Sequence, residues 1–410
     1  MKKLLTLGDI FISDFIKEGN QPRGGKHELK VVLDEKIMAP RLESPPKKEE
    51  MFGKYWYRSG INQTMRKELN EVVDSINSIK KFKENDIWVD IASNDGTLLS
   101  FLPKTLIRIG IDPADDSYKQ ESEKYSNLII QDYFSSELYK KCKFGTNKAK
   151  VITCIAMFYD IEDPIKFLSE VHEILDENGV FVLQMSYTPL MINQLAFDNI
   201  CHEHVWYYSL FNIKKMMEDV GFNVFNCELN DVNGGSFRVY ATLKGNGINT
   251  IGTQQYRDVC NYRLNSILNY EKTLDLNSTK TWSDFFKRIT DLKRDVVNFI
   301  KDKKLEGKKI WAYGASTKGN TLLQYFGLDN TLIDGIADRS QIKWGLKTVG
   351  TNIPIFSEDE MRKENPDYLL ILPWHFINEF ISREDDFLRN GGSFIVPCPK
   401  FEIINFNSKI

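Results

Sequence analysis

A chain of 410 residues with 42% hydrophobic and 27% charged content reads as a soluble globular protein of two to three domains. Its net charge of -3, with lysines and arginines scattered, leaves no basic footprint for nucleic acid. No apolar run approaches the roughly 20 residues that cross a bilayer, so no membrane role is expected. The six cysteines, Cys142, Cys154, Cys201, Cys227, Cys260 and Cys398, contain no CxxC pair. Neither a zinc knuckle nor a disulfide framework follows, and a reducing cytoplasm is the natural setting. The N-terminal stretch MKKLLTLGDIFISDF carries acids among its apolar residues and no small-residue cleavage site, so it reads poorly as a signal peptide.

Residues 1–50 alternate short apolar runs with Pro/Gly/Lys stretches, which predicts a small, irregular N-terminal lobe (1–64) with a weak core of its own. A helix is predicted from Met65 to Ile79, where Met65, Leu69, Val72, Val73 and Ile76 recur at helical spacing. Across 65–250, strand-like runs (IWVDIA, IRIGID, NLIIQD, KVITCIAM, VFVLQM) alternate with helical ones. This predicts a parallel, doubly wound sheet with helices on both faces. FNVFNCEL and FRVYATL flank the turn NDVNGGS, which predicts a terminal antiparallel hairpin. Residues 251–304 form a charged helical connector, and 305–410 repeat an α/β pattern as a second, smaller Rossmann-like domain.

The segment Trp88 to Leu99 reads as strand, tight turn and helix start, with Asp90 closing the strand. Ala92, Ser93, Asn94, Asp95 and Gly96 form the turn, and Gly96 lets backbone approach a ligand. About 20 residues later, Asp112 ends a second strand, where an acid can hold the hydroxyls of a ribose. Asp132, after the third strand, is a candidate for an adenine amino group. The glycines do not match G-x-G-x-x-G, which disfavours NAD; the pattern is that of a crevice for S-adenosylmethionine.

Two of the five histidines stand in Cys201-His202-Glu203-His204, between a strand and a helix at the carboxyl edge of the sheet. A histidine there can take a proton near neutral pH, and an adjoining carboxylate can orient its ring. Tyr207 and Tyr208 add phenols. An H-x-H pair can also bind metal, but no further ligands occur at recognisable spacing. A second patch, Tyr55-Trp56-Tyr57-Arg58-Ser59-Gly60-Ile61-Asn62, suits a ring-and-phosphate ligand or a packing seam between lobes. In the C-terminal domain, YGASTKGNT places Ser316, Lys318 and Asn320 at a helix start, where an anion such as pyrophosphate can sit. Trp374 and His375 end a later strand and are expected in the same cleft.

Five segments taken together, YWYRSGINQTM (55–65), VDIASNDGTLL (89–99), CHEHVWYYSL (201–210), NGGSFRVY (233–240) and YGASTKGNT (313–321), resemble the S-adenosylmethionine-dependent C-methyltransferases of nucleotide-linked 4-keto-6-deoxysugars. The resemblance implies a class I methyltransferase-like domain, a C-terminal domain that helps to hold the nucleotide sugar, and a metal-independent reaction. It also implies His204 as base, Glu203 as its partner and Tyr57 as a substrate-side phenol; Tyr57, Asn62 or His202 is then the candidate to meet the keto oxygen or sugar hydroxyls. Arg58, Asn62, Tyr55, Tyr207 and the C-terminal residues fall to the substrate. The chain departs from the family twice. Cys201 stands where a tyrosine often precedes the HEH motif, and the N-terminal lobe lacks the paired cysteines of a zinc site, so no metal is expected. The implied reaction is methylation of a carbon, C3, beside the C4 ketone, giving S-adenosylhomocysteine. The alternatives are O- or N-methylation of a sugar or other small polar molecule, and a sugar-nucleotide-binding protein without turnover. The chain is expected to work as a monomer or homodimer.

Overall fold

In the computed structural model, which describes residues 2–52 and 56–408, the N-terminal lobe is an antiparallel sheet rather than the irregular segment predicted. Strand β1 (Lys2–Phe11) is followed by β2 (Phe15–Ile16), β3 (Lys26–Asp34) and β4 (Ala39–Leu42), and the sheet runs β1-β3-β4. Its core is borrowed. Leu5, Leu7, Ile10, Leu29 and Val31 share one apolar cluster with Trp311, Leu322 and Phe326 of the C-terminal domain. On the other side, the Leu42 N–H donates to the Val205 carbonyl at 2.8 Å, and the Tyr207 N–H donates to the Pro40 carbonyl at 2.9 Å. A strand set too small to bury its own apolar face is thus ordered by two larger neighbours.

The predicted helix spans Gln63–Ile79, with the Asn62 side chain accepting from the Thr64 and Met65 N–H groups at its start. It leads into a sheet of seven strands: β5 (Ile87–Ile91), β6 (Ile107–Ile111), β7 (Leu128–Ile130), β8 (Ala149–Ile155), β9 (Leu175–Ser186), β10 (Phe222–Asn230) and β11 (Ser236–Leu243). Their order is β10-β11-β9-β8-β5-β6-β7. Strands β5 to β9 pair in parallel, and β11 inserts antiparallel between β9 and β10. This is the class I methyltransferase arrangement, hairpin included. The chain leaves β5 towards β6 and later returns to its other side as β8, so the order reverses at β5 and a crevice opens at the carboxyl ends.

The helices Gln254–Leu274 and Thr279–Leu305 connect to the last domain. It contains β12 (Ile310–Tyr313), β13 (Ile336–Ala337), β14 (Lys347–Thr348), β15 (Ile355–Phe356), β16 (Tyr368–Ile371), β17 (Ser393–Val396) and β18 (Glu402–Ile404). Strand β14 pairs with β2 of the N-terminal lobe. The other six run β15-β13-β12-β16-β17-β18, parallel except for β18, and this order reverses at β12. Residues from the carboxyl ends of both sheets line one cleft of about 630 Å³. Among the described residues, no helix is long and apolar enough to cross a membrane.

Candidate active site

The turn after β5 is held open by backbone in the left-handed region at Ala92 (φ 60°), Asn94 (φ 50°) and Gly96 (φ 76°). For Ala92 and Asn94 that conformation is strained. The Asn94 N–H donates to Asp112 Oδ2, and the Ala114 N–H to Asp112 Oδ1, both at 2.8 Å. Each carboxylate oxygen of Asp112 keeps further acceptor capacity for a ligand's hydroxyls. Burial raises the Asp112 pKa, the backbone hydrogen bonds opposing it. Asp90 accepts from Thr153 Oγ1 at 2.6 Å, and burial pushes its carboxyl up to about 7. Asp90, Ala92, Ser93, Asn94 and Asp112 all line the cleft. The Ser93 hydroxyl is buried without a hydrogen-bond partner. Two acids and an unpartnered hydroxyl on one crevice fit a nucleoside with a ribose diol and a cationic centre, the chemistry of S-adenosylmethionine.

Three residues predicted to touch the cofactor, Asp95, Gly96 and Asp132, are not among those that line the cleft. Asp95 accepts from Thr97 Oγ1 at 2.6 Å and from the Gly60 N–H at 2.8 Å, so it caps the helix start and ties down the 59–61 turn. Gly96 is required by packing: a Cβ there would lie 2.7 Å from Ser122 Cα. Asp132 is exposed and accepts from the Tyr133 N–H, while Tyr133 and Phe134 line the cleft in its place.

Alternate residues of the HEH loop face opposite ways. The His204 Nδ1–H donates to the Asn199 carbonyl at 2.8 Å, and the ring packs 4.0 Å from that of Tyr159. This bond fixes the tautomer: Nδ1 carries the proton and Nε2 keeps the lone pair of a base. Burial, with Lys318 adding to it, depresses the His204 pKa to about 3, so the imidazole is neutral. Glu203 also lines the cleft, its carboxyl raised to about 7 by burial and opposed by Lys318. The sequence predicts that Glu203 orients His204, but the Nδ1–H is taken by the Asn199 carbonyl instead. His202 is not in the cleft: its Nε2–H donates to the His27 carbonyl at 3.2 Å and its ring packs edge-on against His27. It pins the N-terminal sheet. Tyr207 is likewise buried away from the cleft, within the shared apolar cluster. Cys201 is buried, and burial pushes its thiol well above the usual range, so it does not replace the missing phenol as an acid–base group.

Tyr57, Arg58 and Asn62 line the cleft. Arg58 lies 3.9 Å over the Tyr118 ring and donates to Ser117 Oγ at 2.6 Å. Tyr55 lies outside the described residues. From the C-terminal domain, Ser316, Lys318 and His375 reach the cleft. Ser316 caps the helix Thr317–Phe326 by accepting from the Gly319 N–H at 3.0 Å. Asn320 is a correction: it donates to Ser13 Oγ at 2.9 Å and holds the N-terminal lobe. Trp374 is another, since its Nε1–H donates to Asp198 Oδ2 at 3.2 Å and its ring covers Gly234, making it a wedge between the domains.

Sequence reasoning missed Asn199, which sets the His204 tautomer and carries no motif of its own. It also missed Asp338, Arg339 and Lys343, which line the cleft beyond β13. The strand-end acid in IDGIAD was the available signal, since Asp338 stands to β13 as Asp112 stands to β6. Among the described residues, no group of three or more His, Cys, Asp or Glu side chains is placed to hold a metal ion.

Two family models match the chain. A family model described as a methyltransferase domain matches residues 57–226, and one described as a C-methyltransferase C-terminal domain matches 231–399. The C-methyltransferase NovU of Streptomyces niveus is 27% identical over 387 residues, covering 93% of this chain and 89% of that protein. Two solved structures overlap part of the chain. A Haloferax volcanii methyltransferase in complex with the Trm112 activator has TM-score 0.37 and 15% identity, covering 45% of this chain and 95% of that one. An S-adenosylmethionine-dependent methyltransferase from Clostridium acetobutylicum has TM-score 0.34 and 15% identity, covering 44% and 92%. From the two matched domains, the chain is a methyltransferase that resembles the C-methyltransferases through both of its large domains, with a crevice whose residues fit S-adenosylmethionine.

Proposed function

We propose that the enzyme methylates C3 of a nucleotide-linked 4-keto-6-deoxysugar, with His204 as the base. One observation carries this reading: His204, locked with Nε2 unprotonated, lines the same cleft as the Asp90–Asp112 crevice. S-adenosylmethionine supplies an electrophilic methyl group, and a carbon meets it only after losing a proton, which an adjacent ketone makes possible. His204 Nε2 takes that proton. Asp112 and Asp90 hold the cofactor's nucleoside, and Tyr57 and Asn62, which line the same cleft, meet the sugar. Enclosing both partners in one cleft supplies the proximity term. The turn at Gly314–Ser316, with Arg339 and Lys343 nearby, suits the nucleotide's phosphates.

Labelled-methyl NMR on nucleotide-linked 4-keto-6-deoxysugars tests the reading. A new C–CH3 signal is expected, and His204→Asn should slow its appearance by about 10²–10⁴-fold while cofactor binding persists. An O–CH3 or N–CH3 product would instead establish methylation of a heteroatom on the same scaffold, and no transfer to any keto sugar would leave the proposal wrong.

A further inference from the structure

Lys318 belongs to the C-terminal domain, at the start of the helix Thr317–Phe326, yet its ammonium is lodged in the methyltransferase domain. Nζ donates to Asn199 Oδ1 at 2.6 Å and to the Asn233 carbonyl at 3.1 Å. Asn199 is the residue whose backbone carbonyl holds His204, and its side chain is fixed further by Ser186 Oγ and the Ala196 carbonyl, each at 3.0 Å. Lys318 therefore sits one residue away from the base, along a hydrogen-bonded path, and lines the cleft with Glu203 and His204. An ammonium has three donors; two are committed, and the third N–H remains for a ligand.

We infer that Lys318 is the cation that stabilises the enolate when His204 deprotonates the sugar, its remaining N–H meeting the ketone oxygen. This rests on the function proposed above and deepens it. The balance is simple. The C–H bond breaks, the proton passes to His204 Nε2, and the electron pair moves into the C–C–O system, leaving negative charge on the oxygen. A buried cation beside that oxygen acts where water cannot compete. Burial lowers the Lys318 pKa, and the neighbouring Asp198 and Glu203 carboxyls oppose that shift. A phosphate anchor, the role the sequence suggests, would leave the ammonium free at the helix start rather than committed to Asn199 and Asn233.

Deuterium exchange at C3 isolates the step. The full chain is incubated in D2O with a nucleotide-linked 4-keto-6-deoxysugar and S-adenosylhomocysteine, which permits deprotonation without transfer. Wild type should exchange. Lys318→Gln should slow exchange by about 100-fold or more with both ligands still bound, and Lys318→Arg should recover part of the rate. In Lys318→Gln the acidic limb of the pH–rate profile should also move to higher pH, because no cation opposes the imidazolium, while the partial rescue by Lys318→Arg separates the enolate contact from a purely structural tie. Exchange by Lys318→Gln within threefold of wild type overturns the inference. So does loss of exchange only in step with loss of ligand binding in both variants. Should the Gln variant not fold, Lys318→Arg decides: slowed exchange with binding retained supports the role, and lost binding overturns it. A wild-type chain that exchanges nothing refutes the proposed function itself, and the Lys318 role with it.

Discussion

The two sheets each open a crevice where strand order reverses, and the two crevices are built alike. In the first, the Asn94 N–H donates to Asp112 Oδ2 at 2.8 Å; in the second, the Ala315 N–H donates to Asp338 Oδ2 at 2.8 Å. Charge separates them. Asp112 is joined by Asp90, and the crevice keeps acid capacity for a ligand. Asp338 faces Lys343 Nζ at 3.5 Å, and that lysine also donates to the Ala315 carbonyl at 2.7 Å. One backbone device thus yields an acidic crevice that suits a cationic nucleoside and a neutralised one that suits an anion. The side chains around the device, and not the strand-turn-helix itself, select the ligand.

The largest effect should come from the base set between the crevices. His204→Asn should lower turnover by about 10²–10⁴-fold, read by steady-state kinetics, with S-adenosylhomocysteine affinity unchanged by calorimetry. Next, Asp112→Asn should weaken cofactor binding by about 10–100-fold, the loss of a charged acceptor, while Asp338→Asn leaves it within about twofold. Equal losses in both variants would break the comparison.

A third effect is on stability. Burial lifts the Glu203 carboxyl from 4.5 to about 7. Between those values the folded chain keeps a proton that the unfolded chain has released, so stability falls as pH rises through that window and stays low above it. Glu203→Gln should remove that part of the decline, on the order of 1–3 kcal/mol, as urea melts at pH 5 and pH 8 will register. The smallest effect is at the first crevice's turn. Ala92→Gly relieves a left-handed backbone and should raise stability by up to about 1 kcal/mol, provided that the turn keeps its shape.

The methyltransferase sheet was legible because buried strands, a turn and two strand-end acids repeat at fixed spacing, and the hairpin carries its own turn residues. Side-chain direction was not. Asp95 and Asn94 are neighbours in one turn, yet one caps a helix and the other meets the cleft-lining Asp112. His202 and His204 are two residues apart in an irregular loop, where spacing does not say which side each faces. The N-terminal sheet was hidden because its core is completed by residues some 300 positions later, such as Trp311 and Phe326. Lys318 was legible as a helix-start cation, but its partner Asn199 lies 119 residues earlier and on another domain.

The most direct test of the account is a crystal structure with S-adenosylhomocysteine and a nucleotide-linked 4-keto-6-deoxysugar bound together. The sugar ring should lie between the cofactor's sulfur and His204, with Nε2 about 3 Å from the carbon that bears the acidic proton's position. A sugar bound elsewhere, or with both groups on one face of the ring, would contradict it.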